Sequence, residues 1–344
     1  MSLQMQIQTQ FDNCHIYCIW CVKFHPSLPM FASSGSDAKI IIWEYDKNIS
    51  NFKKTSILEK THKSTIRSID WDYSGKYLSA ASFDNNISIW KITNETSPYS
   101  FSCISILESS DSEIKSVSWS LSGNFVACCS RKGNIWVWEK DEDDFNSEDF
   151  ICKSTFEGHN GDVKMVKFSP REDILFSCSF DETIKIWDLD YSKDDYILIN
   201  TLKHHSGTVW YIEFNKTGDI FFTCSDDKCI IMWKIDFKCE KEKNPYENVI
   251  KVAVIENVHR RPIYCCVLSK DEKYIFTASN DGDIGIVEIN GENMMLVDKK
   301  KDAHEQYNVN CICVNKNGNG NEIISCGDDC SIKIWKFENN KNKN

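Results

Sequence analysis

No apolar run in this chain approaches the roughly 18 residues that a membrane-crossing helix needs. The amino-terminal stretch Met1 to Gln10 lacks the charged-then-apolar pattern of a secretion signal. The chain is therefore expected to stay in the compartment where it is made. Positive charge is also in short supply: 40 Lys and Arg stand against 51 Asp and Glu, a formal charge of −11. Attraction to nucleic acid or anionic membrane through bulk electrostatics is disfavoured, because counterion release requires clustered cations. A paired cysteine framework is missing too. The 17 cysteines are odd in number and spread along a long chain, which points to free thiols in a reducing cytosol.

Groups arranged for chemistry are equally scarce. Cys18 and Cys21 form a single Cys-x-x-Cys without the second pair that structural zinc requires. Cys128 and Cys129 are adjacent and point to opposite faces of a strand. The stretch Gly318-Asn319-Gly320-Asn321 is a loop insertion without the strand-then-helix context of a phosphate cradle. No acid, base or nucleophile converges outside the repeat described next. The sequence is therefore expected to encode no enzyme, no metal site and no cofactor site.

What is present is a pattern that recurs seven times. A His lies 22 positions before an Asp, which lies six before a Trp, in His15/Asp37/Trp43, His62/Asp84/Trp90, His159/Asp181/Trp187 and His205/Asp227/Trp233. Three copies are altered: His259/Asp281 ends in Val287, His304/Asp329/Trp335 carries a three-residue insertion, and Ser110/Lys132/Trp138 has neither His nor Asp. A period of roughly forty to fifty residues is that of one propeller blade. Within a unit, short alternating apolar runs are broken by turn residues, as in Val163 to Phe168, Ser169-Pro170-Arg171-Glu172, Ile174 to Ser179, Asp181-Glu182 and Thr183 to Trp187. Such runs read as antiparallel strands. Three residues before each Asp position stand Ser34, Ala81, Cys129, Cys178, Cys224, Ala278 and Cys326, all small, as expected where neighbouring blades approach closely.

Seven copies of a catalytic dyad make no sense; seven copies of a structural relay do. The Asp is expected to accept from the imidazole, with Ser82, Ser179, Ser225 or Ser279 linking His to the indole N–H, so that buried polar groups find partners. Departures from the repeat carry more functional information. Ser36, Phe83, Phe180, Asp226, Asn280 and Asp328 stand just before six of the relay Asp positions, and the third unit has Arg131 there. Five positions after each His or its equivalent stand Trp20, Arg67, Lys115, Lys164, Trp210 and Tyr264, with Asn310 in the shifted last unit. Both sets are expected at the narrow top of the ring, an aromatic and basic rim suited to binding proteins. The acidic run Asp141 to Asp149 reads as a solvated outer loop, with docking of a basic partner as the alternative.

The His–Asp–Trp units resemble WD40 β-propellers over essentially the whole chain. That resemblance implies an all-β fold of seven four-stranded blades, at about 12–60, 61–108, 109–157, 158–203, 204–257, 258–302 and 303–340, in one domain spanning 1–340. The strand Gln4 to Phe11 would complete the last blade. The rim, the stretch Cys129 to Glu139 (CSRKGNIWVWE), the acidic run after it, Glu157 to Lys164 (EGHNGDVK) and the third unit's Arg131 are similar to one subfamily. It is the propeller subunit of the cytosolic iron–sulfur protein assembly targeting complex. The departures are Val287, a long loop near Lys238 to Asn248 and the degenerate neighbours of His15.

This resemblance implies a non-catalytic, monomeric adaptor in the cytoplasm, and leaves open whether it also visits the nucleus. It implies protein partners: a small cluster-handling protein, a helical-repeat scaffold and apo-clients awaiting iron–sulfur insertion. The top-face binding residues would be Arg131, Trp20, Arg67, Lys115, Lys164, Trp210 and Tyr264. The competing expectation is a ubiquitin-ligase substrate receptor or chromatin-peptide reader; a ligase receptor usually carries a docking segment before the ring, and about a dozen residues precede the first unit here.

Overall fold

The computed structural model describes residues 3–94, 96–109, 112–141, 148–237, 244–317 and 320–339. The central part of the acidic run, Ser110, Lys238 to Lys243 and Gly318-Asn319 lie outside the described residues. Seven four-stranded antiparallel sheets form, their strands running in order from the axis outward. Blade 1 is Ile19–Phe24, Met30–Gly35, Ile40–Asp46 and Asn51–Leu58; blade 2 is Ile66–Trp71, Tyr77–Ser82, Asn86–Ile92 and Phe101–Glu108. Blade 3 is Ile114–Trp119, Phe125–Ser130, Ile135–Lys140 and Phe150–Phe156; blade 4 is Val163–Phe168, Leu175–Ser179, Ile184–Asp190 and Asp195–Leu202. Blade 5 is Val209–Phe214, Ile220–Ser225, Ile230–Ile235 and Val249–Ile255; blade 6 is Ile263–Leu268, Tyr274–Ser279, Ile284–Asn290 and Asn293–Lys300. Blade 7 is Val309–Val314, Glu322–Gly327 and Ile332–Asn339, completed by Leu3–Phe11.

The innermost strands touch in an unbroken circle, with blade 1 meeting blade 7 as blade 2 meets blade 3. Closure depends on the amino-terminal strand, which pairs Ile7 with Trp335 and Phe11 with Ile332. The Phe11 ring then lies 4.7 Å from Trp43 of blade 1, so one residue bridges the closure. No strand pairing is left open at the junction, which removes the usual hazard of an exposed sheet edge.

Packing between blades explains the small residues. Ser34, Ala81, Cys129, Cys178, Cys224, Ala278 and Cys326 all sit on second strands with no exposed surface. Cys129 Sγ lies 3.4 Å from the Val163 carbonyl of the next blade, a gap that a larger side chain would have to open. Cys128, its neighbour, joins the apolar cluster on the other side of the sheet. The sixteen described cysteines are free thiols.

The relay Asp is fixed by the turn it occupies. Ala38, Asn85, Gly133, Glu182, Lys228, Gly282 and Cys330, each one residue past the relay position, adopt left-handed φ values between 57° and 98°. The Asp side chain stabilises that turn by accepting the N–H two residues on, as Asp181 does from Thr183 at 3.0 Å and Asp227 from Cys229 at 2.9 Å. It also accepts the N–H after the His, at 2.7 Å from Lys63 and 2.9 Å from Asn160. One carboxylate thereby ties two loops together.

Candidate functional site

The imidazole–carboxylate contact is present in six blades. His Nδ1 meets Asp at 2.8 Å in His15/Asp37, 3.1 Å in His62/Asp84, 3.0 Å in His159/Asp181, 2.7 Å in His205/Asp227 and 2.9 Å in both His259/Asp281 and His304/Asp329. On the other side of the ring, Nε2 meets a buried hydroxyl, which in the five of these blades that keep the Trp also accepts the indole N–H. For His159 and Trp187 this is Ser177, at 2.7 and 2.8 Å, and for His205 and Trp233 it is Thr223, at 2.8 and 2.9 Å. The carboxylate can only accept, so Nδ1 carries the proton; Nε2 of the neutral ring then accepts from the hydroxyl, whose lone pair accepts from Trp.

The expected linkers were wrong. Ser82, Ser179, Ser225 and Ser279 face the loop instead, each donating to a carbonyl there and accepting the relay Asp N–H, as Ser179 does for Asp181 at 3.1 Å. The linking hydroxyl stands two residues earlier on the same strand, on the same side but one step deeper, at Ser33, Ser177, Thr223, Thr277 and Ser325. Blade 2 has Ala80 there. Its hydroxyl comes from Ser88, directly opposite on the third strand, at 2.8 Å from both His62 Nε2 and Trp90 Nε1. In blade 3, Cys128 occupies the position and the buried Trp138 indole N–H has no partner among the described residues.

Electrostatics follow this geometry. Burial alone would raise the Asp227 carboxyl, but the His205 hydrogen bond and charge, with two loop N–H groups, outweigh it and hold it at about 2. The same balance holds Asp181 and Asp281 still lower. Burial pushes His159 and His304 below the ordinary imidazole value, keeping them neutral, as their hydroxyl partners require. Nothing in this set converges on a substrate-sized space; its chemistry is structural.

Around the axis the structure gathers Trp20, Arg67, Lys115, Lys164, Trp210, Tyr264 and Asn310 about one cavity of about 60 Å³. Each is the extra residue of a β-bulge in its innermost strand: the register skips them between Ile19 and Cys21, Ile66 and Ser68, Ile114 and Ser116, Val163 and Met165, Val209 and Tyr211, Ile263 and Cys265, and Val309 and Cys311. A bulge re-aims a side chain that a regular strand would place against a neighbouring blade. Spacing alone gave the position, and the bulge supplies the cause.

The rim is lopsided. In blades 5, 6, 7 and 1 the rim residue is tied to the residue before the relay Asp: Trp210 Nε1 to Asp226 at 2.5 Å, Asn280 Nδ2 to Tyr264 Oη at 2.6 Å, Asn310 Nδ2 to Asp328 at 2.7 Å and Trp20 Nε1 to Ser36 at 2.7 Å. In blades 2, 3 and 4 those preceding positions hold Phe83, Arg131 and Phe180, and the rim is cationic. Phe180 is 61% exposed, and the Arg131 side chain is 66% exposed, with one ion pair among the described residues, to Glu113 at 3.4 Å. Lys115 lies 4.1 Å from the Phe83 ring centre and pairs with Glu113 at 2.5 Å; Lys164 lies 4.7 Å from the Trp210 ring centre and pairs with Asp162 at 2.5 Å.

Sequence reasoning missed a second ring, three residues after each rim position: Lys23, Asp70, Ser118, Lys167, Glu213, Val267 and Cys313. The repeat's own period could have found it. Lys167 pairs with Glu213, Lys316 approaches Glu213 at 3.7 Å, and Lys23 lies 3.9 Å from Asp70. Tyr211 projects among them, its hydroxyl 3.4 Å from Lys23 Nζ, and lines both the upper cavity and a lower one of about 230 Å³. Among the described residues no three His, Cys, Asp or Glu side chains form a metal-binding group.

Comparison with known proteins fits this architecture. The WD domain, G-beta repeat family matches at residues 6–44, 52–91, 101–139, 150–188, 197–234, 252–286 and 298–336. A probable cytosolic iron-sulfur protein assembly protein 1 of Cryptococcus neoformans is 29% identical over 187 residues, 51% of this chain and 38% of that protein. Protein CIA1 of Arabidopsis thaliana is 36% identical over 101 residues, 27% of this chain and 28% of its own length. Protein HIRA of Dictyostelium discoideum is 29% identical over 178 residues, 49% of this chain and 12% of that protein. The matched stretches thus span well under half of each relative's length. With seven matched repeats and a four-stranded blade for each, the chain belongs to the WD40 repeat family.

Proposed function

We propose that this protein is a non-catalytic adaptor in cytosolic iron–sulfur protein assembly, which docks partner proteins and apo-clients on its top face while holding no cluster itself. The observation that carries the docking reading is the open sector of blades 2 to 4, where Arg131 stands exposed between Phe83 and Phe180. Guanidinium and aromatic groups combine large contact area with directional donors, the composition of interface hot spots. In blades 5, 6, 7 and 1 each rim side chain is instead hydrogen-bonded to the residue before the relay Asp. The pathway reading is supported by the names of the fungal and plant relatives, and under it the protein works in the cytosol. A rigid ring also offers blade edges and a bottom face, so a small cluster-handling partner and a helical-repeat scaffold can bind together with a client.

The likeness to HIRA favours a second reading, a chromatin-associated propeller. Two measurements separate these. Depleting the protein should lower radioactive iron incorporation into cytosolic iron–sulfur enzymes, and the Arg131→Glu variant should lose co-purifying partners while its melting temperature stays within about 1 °C, as expected of a surface change. Unchanged iron incorporation would remove the pathway reading; undiminished capture by Arg131→Glu would remove the docking sector.

A further inference from the structure

We infer that the axial mouth receives one acidic side chain, an aspartate or glutamate presented by a docking segment of a partner protein, with Arg67 as its anchor. The inference rests on the top face being the docking face and names the chemistry recognised there. It concerns the cavity inside the rim, separate from Arg131 on the lip.

Three cations near the mouth are already paired: Lys115 and Arg131 share Glu113, and Lys164 has Asp162. Arg67 differs. Among the described residues no carboxylate lies within ion-pair distance of it, and its one contact is the Trp20 ring, 4.8 Å from the guanidinium carbon. Trp20 is itself fixed by the 2.7 Å bond to Ser36, so the guanidinium is held in place with its N–H donors unpaired. Its charge is felt by the Tyr264 phenol of blade 6, across the axis from blade 2. A positioned guanidinium with no acid partner is a site for a carboxylate, bound by charge-assisted hydrogen bonds.

A second group points the same way. Asn310 is 4% exposed, and its amide nitrogen donates to the Ile19 carbonyl and to Asp328. Its Oδ1 has no hydrogen-bond partner among the described residues. A buried acceptor left unpaired costs about 1–3 kcal/mol; having almost no accessible surface, it gains a main-chain N–H of a docked segment as its donor only when the Asn310 side chain turns toward the mouth it lines. Size sets the limit: the cavity of about 60 Å³, with Tyr211 in its lining, suits one side chain rather than a threaded chain. Overall charge sets the selectivity. At −11 the protein repels a strongly acidic partner, while Arg67 acts within a Debye length of about 8 Å. The favoured guest is a lone acidic residue in an otherwise neutral or basic segment.

The test uses the full chain with nitrogen-15 in its tryptophans and short acetylated, amidated glycine–serine peptides bearing one central glutamate, glutamine or phosphoserine. The glutamate peptide should shift the Trp20 and Trp210 indole signals saturably, with the glutamine peptide at least about fivefold weaker. Arg67→Met should lose that difference, Arg67→Lys should keep part of it, and Lys193→Gln, which removes an exposed cation at the outer turn of blade 4, should match wild type. Unmoved signals from the relay tryptophans report that each variant is folded. Equal binding of glutamate and glutamine peptides, full binding by Arg67→Met, or a phosphoserine peptide binding tighter than glutamate would each overturn the inference. Partner capture by Arg131→Glu is independent, so a failed peptide titration beside a lost pull-down removes the mouth and leaves the docking sector standing.

Discussion

Blade 2 offers a direct test of the relay, because its hydroxyl has moved across the sheet. Ser88→Ala removes the oxygen that accepts from Trp90 and donates to His62, both at 2.8 Å, and both partners are buried. Each buried group left without its hydrogen bond costs about 1–3 kcal/mol, so the variant should lose roughly 2–6 kcal/mol. For 344 residues an unfolding entropy near 2.1 cal/mol/K per residue converts this to a fall in melting temperature of about 3–8 °C. The informative variant is the double one. Ala80 is the direct cross-strand partner of Ser88, and five other blades carry their hydroxyl at Ala80's position. Side chains opposite one another in an antiparallel pair share a face at about 5 Å. Ala80→Ser on the Ser88→Ala background should therefore regain most of the loss. Scanning calorimetry at matched scan rate, with proteolytic sensitivity as a check against irreversible unfolding, reads both steps. A single variant indistinguishable from wild type, or a double variant no better than the single, refutes the relay as a source of stability.

Trp187→Ala, a large core deletion that also strands Ser177, should cost roughly 3–5 kcal/mol, and an unshifted thermal midpoint would contradict its role. Gly158→Ala places a methyl 2.4 Å from the Trp187 ring, an overpacking expected to cost about 1–3 kcal/mol in the same assay. Acid should act in two stages. His159 and His304 have folded values below their unfolded ones, so the stability they contribute is complete above about pH 6.5 and is lost as pH falls below it. The lowered relay carboxyls, Asp227 at about 2 among them, contribute stability above about pH 4 that is lost as pH falls toward their folded values. Melting temperature measured from pH 7 down to pH 3 should show both losses; a flat profile between pH 7 and pH 5 would count against neutral buried imidazoles.

The sequence by itself determined the ring. A fixed His–Asp–Trp interval, turn residues between alternating runs and a small residue at one recurring position each describe a local requirement that every blade must meet alone, so repetition displays it seven times over. The rim was legible for the same reason: Trp20, Arg67 and their equivalents hold one phase of the repeat. What only tertiary structure decided were relations across strands and across blades. The linking hydroxyl was misplaced by two residues because Ser179 and Ser177, like their equivalents in other blades, lie on the same side of a strand, and only three-dimensional depth separates the loop from the imidazole. Ser88 could not be found by period, since it answers a missing group on the neighbouring strand. The closed and open halves of the rim also emerge only when Asp226 meets Trp210 while Phe180 meets solvent. A periodic pattern records what each unit needs for itself; which polar groups remain unpaired depends on neighbours that fold topology brings together.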